Sequence, residues 1–449
     1  MYYFAYQYAS FELIECKETR MITKNNLVFL FFSVVIFYLV GFVQRQEIAL
    51  LYSLFAVAFL VYLWLVRQAI SFKMLLFWGF AVRAVCLFAI PALSDDFYRF
   101  IWDGRLLAHG INPYLILPTE FVKTSDFQII IGDFVIFQKL NSPNYYTVYP
   151  PLNQAIFGLS VWLSGSSILL NIIWLRVFII AAEISNIYLL NKLTPNNAKW
   201  YVFNPLVIVE LTGNLHFEGV MIGFVVWAFY LFKKQKLVFS AIALACAVSI
   251  KLVPLVFMPL LISYLWKNNG KSRWKAIIQY TIIVGSFTAL LFLPFAEKAL
   301  FQKLFSSVNL YFQKFEFNGS IYYIVRFLGY QVYGYNIIVQ AGILLSLIAF
   351  LLILKVSFSS LDIHIKAVFV LSIYFFFATT IHPWYITTLV ALASLTQLRY
   401  PMLWAALIPL TYFSYTTIPY QENLLLVTIE YTAVVLLLFF EIKKYVAIK

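Results

Sequence analysis

The stretch "MLLFWGFAVRAVCLFAIPALSDDFYRFIWDGRLLAHGINPY", Met74 to Tyr114, decides the fold class. Its first 20 residues carry a single charge, Arg83, and match the length that a helix needs to cross ~30 Å of hydrocarbon. Charge then returns at once, with Asp95, Asp96, Arg99, Asp103 and Arg105 close together. A membrane span that ends on a cluster of ionised residues is the pattern from which the rest of the chain can be read.

Twelve further apolar runs flank it, at 27–44, 48–66, 168–190, 200–212, 216–232, 237–263, 274–296, 335–355, 364–380, 384–397, 400–418 and 423–442. Hydrophobic residues make up 63% of the 449 and charged ones 11%, a balance that excludes a soluble globular domain. The runs are too long and too continuous for barrel strands, which alternate over ~10 residues. The expected fold class is therefore an all-α polytopic membrane protein, a bundle of about 11–14 transmembrane helices. A net charge of +13 reports loop placement and anionic lipid, and no nucleic-acid partner is expected. Cys16, Cys86 and Cys246 are too scattered for a disulfide framework or a zinc site.

The distribution of Lys and Arg gives the threading. Residues 1–26, with Lys17, Arg20 and Lys24 and no small-residue cleavage site, read as a cytoplasmic tail. Residues 27–93 form three spans, 94–151 a large extracytoplasmic loop with amphipathic helices, and 152–296 the core spans. A second outer loop, 297–334, precedes C-terminal spans over 335–449. Segment 152–165 is too short to cross and reads as interfacial or re-entrant. The run 237–263 lies between basic loops, so it returns to its starting side and bends at Lys251, Pro254 and Pro259. Four features thereby converge on the outer face: the acidic cluster, "GNLHFEG" at 213–219, Lys251, and "IHPWY" at 381–385.

Each feature admits an ordinary and a chemical reading. Phe97, Phe100, Ile101, Gly104, Leu107 and Ala108 have the spacing of an amphipathic surface helix capped by Ser94. Asp95 and Asp96 then either complement the helix dipole or present a general base to an acceptor hydroxyl. Lys251, lifted by the bend, suits a phosphate. His216, Glu218 and His382 add titratable groups, each of which also suits a satisfied helix end. Tyr149, in the rigid loop "NYYTVYPPLNQ", has an aromatic face for a sugar. Charges within the spans are expected to pair: Arg176 with Glu183, and Arg83 with Glu210 or another buried acid.

These residues resemble the polytopic glycosyltransferases of the GT-C fold that use polyprenyl-phosphate sugar donors. "SDDFYRFIWDG", "NPL…GN", "FYLFKK" and "IKLVP" are similar to the catalytic subunit of the first GPI mannosyltransferase. "DFYRFIWDGRLLAHGINPY", "YPPL", "NPLVIVELTGNLHFEGVM" and "HPWY" are similar to bacterial polyprenol-phosphomannose-dependent α-mannosyltransferases. The likeness runs from Asp95 to about Leu260, with "HPWY" separate. It implies a GT-C-like bundle and transfer of a hexose, with mannose favoured, to an acceptor hydroxyl of a glycan, lipid or protein. The transfer would invert the anomeric carbon, with an outer-loop aspartate as base. The GPI register places that base at Asp95 and leaves Phe97 where a second acid belongs. The bacterial register covers more residues and places it at Asp96. Lys251 is then the candidate for the donor phosphate, assisted by Arg99, Arg105, His216 or His382. No cofactor is firmly implied, although Asp95 and Asp96 could hold a divalent cation. The expected location is a bacterial inner membrane with the site outside. A secondary transporter is the alternative from another class, and a lipid-linked polysaccharide ligase or polymerase is the second alternative. Transport predicts internal repeats and midplane charge, and a ligase predicts a basic late loop.

Overall fold

The computed structural model describes residues 25–313, 315–417 and 419–447, so the tail with Cys16, Lys17, Arg20 and Lys24 lies outside them. The described residues form helices joined by loops, with no strand and one isolated bridge between Phe317 and Thr380. Helices α1 (Asn25–Phe42), α2 (Ile48–Leu65) and α3 (Phe72–Ala84) lead to α4 (Asp96–Ala108). The first loop carries three short helices, α5 (Pro118–Phe121), α6 (Phe127–Ile130) and α7 (Phe134–Gln138), before α8 (Pro151–Ser164) and α9 (Ile168–Leu193). Then come α10 (Lys199–Val202), α11 (Pro205–Val207), α12 (Glu218–Lys233), α13 (Leu237–Val248), α14 (Met258–Asn268) and α15 (Arg273–Phe292). The C-terminal part comprises α16 (Leu300–Gln313), α17 (Ile321–Tyr333), α18 (Ile338–Ser357), α19 (Ile363–Phe377), α20 (Tyr385–Ala393), α21 (Tyr400–Leu407) and α22 (Leu424–Ala447).

The chain is an all-α polytopic membrane protein. Six helices among the described residues are long and apolar enough to cross a membrane unaided, or seven if the bent pair Pro205–Gly213 and Glu218–Lys233 counts as one. That is fewer than the eleven to fourteen expected, because an apolar run need not be one helix. Pro254 breaks 237–263 at a 3-10 segment, and 400–418 passes from α21 into a 3-10 stretch at Ile408–Thr416. The run 200–212 is cut by Asn204, whose side chain accepts the Leu206 N–H at 3.0 Å and caps a helix beginning with Pro205.

Beyond that cap the helix widens into a π-segment, Ile208–Gly213, and the chain turns by 115° into α12. Leu215 in this turn sits at φ 63°, a left-handed conformation that costs a non-glycine residue roughly 1–2 kcal/mol. Gly213 permits the turn, since a Cβ there would stand 2.7 Å from Val40. The break buries Glu210, His216 and Glu218 within the bundle, whereas an unbroken helix would carry them past it.

Helix α4 also departs from expectation. It is buried on most of its sides, with Arg99, Asp103 and Arg105 inside, and does not lie free on a surface. Gly104 lets it press on α8, because a Cβ there would meet the Phe157 carbonyl at 2.5 Å. Trp102 seats the loop helices, packing against Phe121, Phe127 and Phe137. The predicted cap, Ser94, accepts the Asp96 N–H at 3.3 Å, while Asp95 occupies the cap position without a capping bond to the helix backbone.

Arg83 finds a buried acid as expected, Glu183 and not Glu210, whereas the expected Arg176–Glu183 pair is not formed. Glu183 receives Arg83 at 2.7 Å, together with Tyr201 and Asn186. Arg176 instead donates to the carbonyls of Thr212, Gly213 and Leu87, which fixes the end of the π-segment. Seven-residue spacing put Arg176 and Glu183 on one face, but a neighbouring helix supplied the closer partner.

Candidate active site

The four separate features meet at one end of the bundle. Asp96, in the first turn of α4, accepts a hydrogen bond from Asn141 Nδ2 at 2.6 Å. Its other oxygen lies 3.8 Å from Nε2 of His216, whose Nδ1 is 3.0 Å from the Glu210 carbonyl oxygen and 3.3 Å from the Glu210 carboxylate. Glu210 is held in turn by the Tyr412 hydroxyl at 2.6 Å and by Asn214 at 3.1 Å. Asp95 turns the other way, to Arg45 at 2.7 Å, and that guanidinium lies over the Tyr415 ring.

Rings from "HPWY" close the site. His216 stacks on Trp384 with centroids 3.9 Å apart, and His382 stacks on Trp384 at 4.4 Å. Phe317 stacks on His382 at 4.9 Å, brought there by a bridge in which Ile381 N–H donates to the Phe317 carbonyl. Burial, with Lys251 and His216 nearby, lowers the pKa of His382 to about 3, so that imidazole is neutral at physiological pH.

Lys251 sits in the break between α13 and α14, paired with Glu218 and lying over the Tyr385 ring. Its height is set from α8: Asn153 Nδ2 donates to the Ile250 carbonyl at 2.7 Å, and the Leu152 N–H to that of Ser249 at 3.0 Å. "YPPLN" thus starts a helix with proline at its first position and latches the bend that carries the lysine. The lysine is 22% exposed and Glu218 2%, so the carboxylate anchors the ammonium from beneath.

Other predicted members lie elsewhere. Arg99 is bound to Asp103 at 2.8 Å and to the Ser142 and Tyr145 carbonyls, and Arg105 to the Ile131 and Ser166 carbonyls. Both tie the first loop to α4 and are not drawn to Lys251. The Tyr149 ring packs edge-on against Phe100 at 5.0 Å and against Phe157 at 5.6 Å. The two adjacent aspartates diverge to different partners, and among the described residues no group of three or more His, Cys, Asp or Glu converges as a metal site would need. Arg45, Asn141, Tyr412 and Tyr415 were not predicted. Arg45 alone had left a signal, a lone cation in an outer loop that the positive-inside pattern does not explain.

A family described as "Alpha-(1->6)-mannopyranosyltransferase, N-terminal domain" matches residues 29–267, more than half of the chain. The chain belongs to this family. An alpha-(1->6)-mannopyranosyltransferase A of Corynebacterium glutamicum is 24% identical over 190 residues, 41% of this chain and 37% of that protein. The protein of the same name from Mycobacterium tuberculosis is 22% identical over 200 residues, 42% of this chain and 36% of its own. The matches thus span little more than a third of these relatives. No solved structure matches. Asp96, Glu210, His216, Glu218 and Lys251 all lie inside the family's region, whereas Phe317, His382, Trp384 and Tyr412 lie beyond it.

Proposed function

We propose that the protein is a membrane mannosyltransferase that moves a mannosyl residue from a polyprenyl-phosphate donor to an acceptor hydroxyl, with inversion at the anomeric carbon. The observation that carries the reading is the convergence of Asp96, the Glu218-anchored Lys251 and the Trp384 ring column at one end of a lipid-embedded bundle. Asp96 is the base: its carboxylate is 19% exposed and has no cation bound to it, whereas that of Asp95 is neutralised by Arg45. As the acceptor oxygen bonds to the anomeric carbon, its proton passes to Asp96. The carbon–oxygen bond to phosphate breaks, and its electron pair leaves with the lipid phosphate. That group gains negative charge in the transition state, and Lys251 opposes it where charge develops. Family membership favours transfer over transport, and the names of the relatives favour an alpha-(1->6) linkage, which makes the acceptor a primary 6-hydroxyl. The acceptor is a glycan, lipid or protein, and the site faces outward from a bacterial inner membrane.

The test uses full-length protein in lipid vesicles with polyprenyl-phosphate mannose and a mannoside acceptor. Asp96→Asn is expected to lose about 10²–10⁴-fold in kcat, and Asp95→Asn less. Full transfer by both variants, each folded, would overturn the base assignment.

A further inference from the structure

His216 is placed for more than wall-building. Its imidazole is 3% exposed, and Nε2, which has no hydrogen-bond partner, faces the Asp96 carboxylate. With Nδ1 directed at the Glu210 carbonyl oxygen at 3.0 Å, that nitrogen carries a hydrogen and donates it. A neutral imidazole would then turn the Nε2 lone pair toward the lone pairs of a carboxylate. The resting pair thus leaves a place for one proton in the 3.8 Å gap between Nε2 and Asp96 Oδ2.

Glu210 supplies the second half of the argument. A fully buried carboxylate needs a counter-charge, and the neighbouring guanidinium groups are committed elsewhere, Arg83 to Glu183 and Arg176 to backbone carbonyls. The imidazole of His216, once it has taken a proton at Nε2, places a positive charge beside that carboxylate. Trp384, stacked on it at 3.9 Å, presents a π-face that favours a cation. His382, on the other side of Trp384, has no such acid beside it. Two imidazoles thus flank one indole in unlike surroundings, one toward Asp96 and Glu210, the other toward Phe317.

We infer that His216 is a proton relay that takes the acceptor's proton from Asp96 and holds it, charge-balanced by Glu210, until release. The inference rests on Asp96 being the base. In the transfer step the acceptor O–H bond breaks and the proton moves to Asp96 Oδ2. A shift of the two side chains then carries it to Nε2, restoring the Asp96 carboxylate beside an imidazolium. After the products leave, the proton returns through Asp96, whose carboxylate is 19% exposed, to water, and no further reactant is needed. The groups that set the charge of His216 are Asp96 on α4, Glu210 and Tyr412 behind it, His382 and Lys251 with Glu218 across Trp384, and Arg45 with Asp95 and Tyr415 at the mouth.

The experiment measures kcat, donor KM and the pH profile for His216→Gln, His216→Phe, Glu210→Gln and the His216→Gln/Glu210→Gln pair, with melting curves to confirm folding. His216→Gln and His216→Phe should each lose about 10²-fold in kcat with donor KM unchanged and an altered acid limb, since Phe keeps the stack but not the nitrogens. The double variant should be no slower than His216→Gln alone, as expected of groups that act as a unit. Wild-type kcat in His216→Phe makes the role packing and overturns the relay. So does a raised donor KM with kcat unchanged, which would make His216 a phosphate ligand. Asp96→Asn separates the two readings: full activity there removes the base itself, whereas an inactive Asp96→Asn beside a fully active His216→Gln removes only the relay.

Discussion

Two histidines on one indole face opposite demands. His382, folded against Phe317 and Trp384, is held neutral by burial, and its pKa falls from 6.5 to about 3. Between those values the unfolded chain binds a proton that the folded chain refuses, so stability contributed by this site is complete above 6.5 and declines as pH falls toward 3. The melting temperature should drop on acidification through this window. His382→Gln should flatten the drop, measured by thermal unfolding in detergent between pH 7 and 4. Activity near neutrality should not follow the titration of His382, because the group does not change charge there.

At the level of elements, the site depends on interrupted helices. The bend between α13 and α14 exposes carbonyls that an unbroken helix would satisfy, and Asn153 covers one of them, on Ile250. Asn153→Ala orphans that oxygen, an expected cost of about 1–3 kcal/mol, and releases the segment carrying Lys251. Donor KM should rise more than kcat falls, and steady-state kinetics at varied donor concentration reads the difference. The α13–α14 bend was legible because Pro254 and Pro259 beside Lys251 have a local cause. The π-segment at Ile208–Gly213 was not, since Pro205 marks only where the helix starts, and Arg176, from α9, holds the segment's end. The burial of α4 was missed for a similar reason. Its charges satisfy one another and loop carbonyls, which an amphipathic pattern cannot reveal.

Across the whole molecule, polar contacts gather at two poles. The Arg45–Asp95 pair joins the loop after α1 to the start of α4 at the site end. At the other end Lys199 reaches the Gln68 carbonyl, Asn197 that of Thr396, and Lys267 those of Phe358 and Ser359. Charge counting places the loops at Lys199 and Lys267 inside and the acidic cluster outside, and labelling can test that threading. In a variant lacking native cysteines, Tyr420→Cys should react with a membrane-impermeant thiol reagent added outside, and Lys271→Cys only after permeabilisation. The reverse labelling would invert the orientation. The convergence of the four motifs was legible because parity of crossings is a global constraint that few spans can violate. The contributions of Tyr412 and Tyr415 were not, since nothing in an aromatic-rich stretch marks which rings fold inward.

The Phe317–Thr380 bridge sets the loop after α16 beside "HPWY", outside the region shared with the family. The proposed reactive groups and the rings of Phe317, His382 and Trp384 that close over them are therefore written in different halves of the chain. The proposed acid, relay and lysine come from the first half, and the second half reaches them through Trp384, Tyr412 and Tyr385. Under the proposed assignment, a change in that second half would alter what reaches the reacting groups while leaving those groups themselves in place.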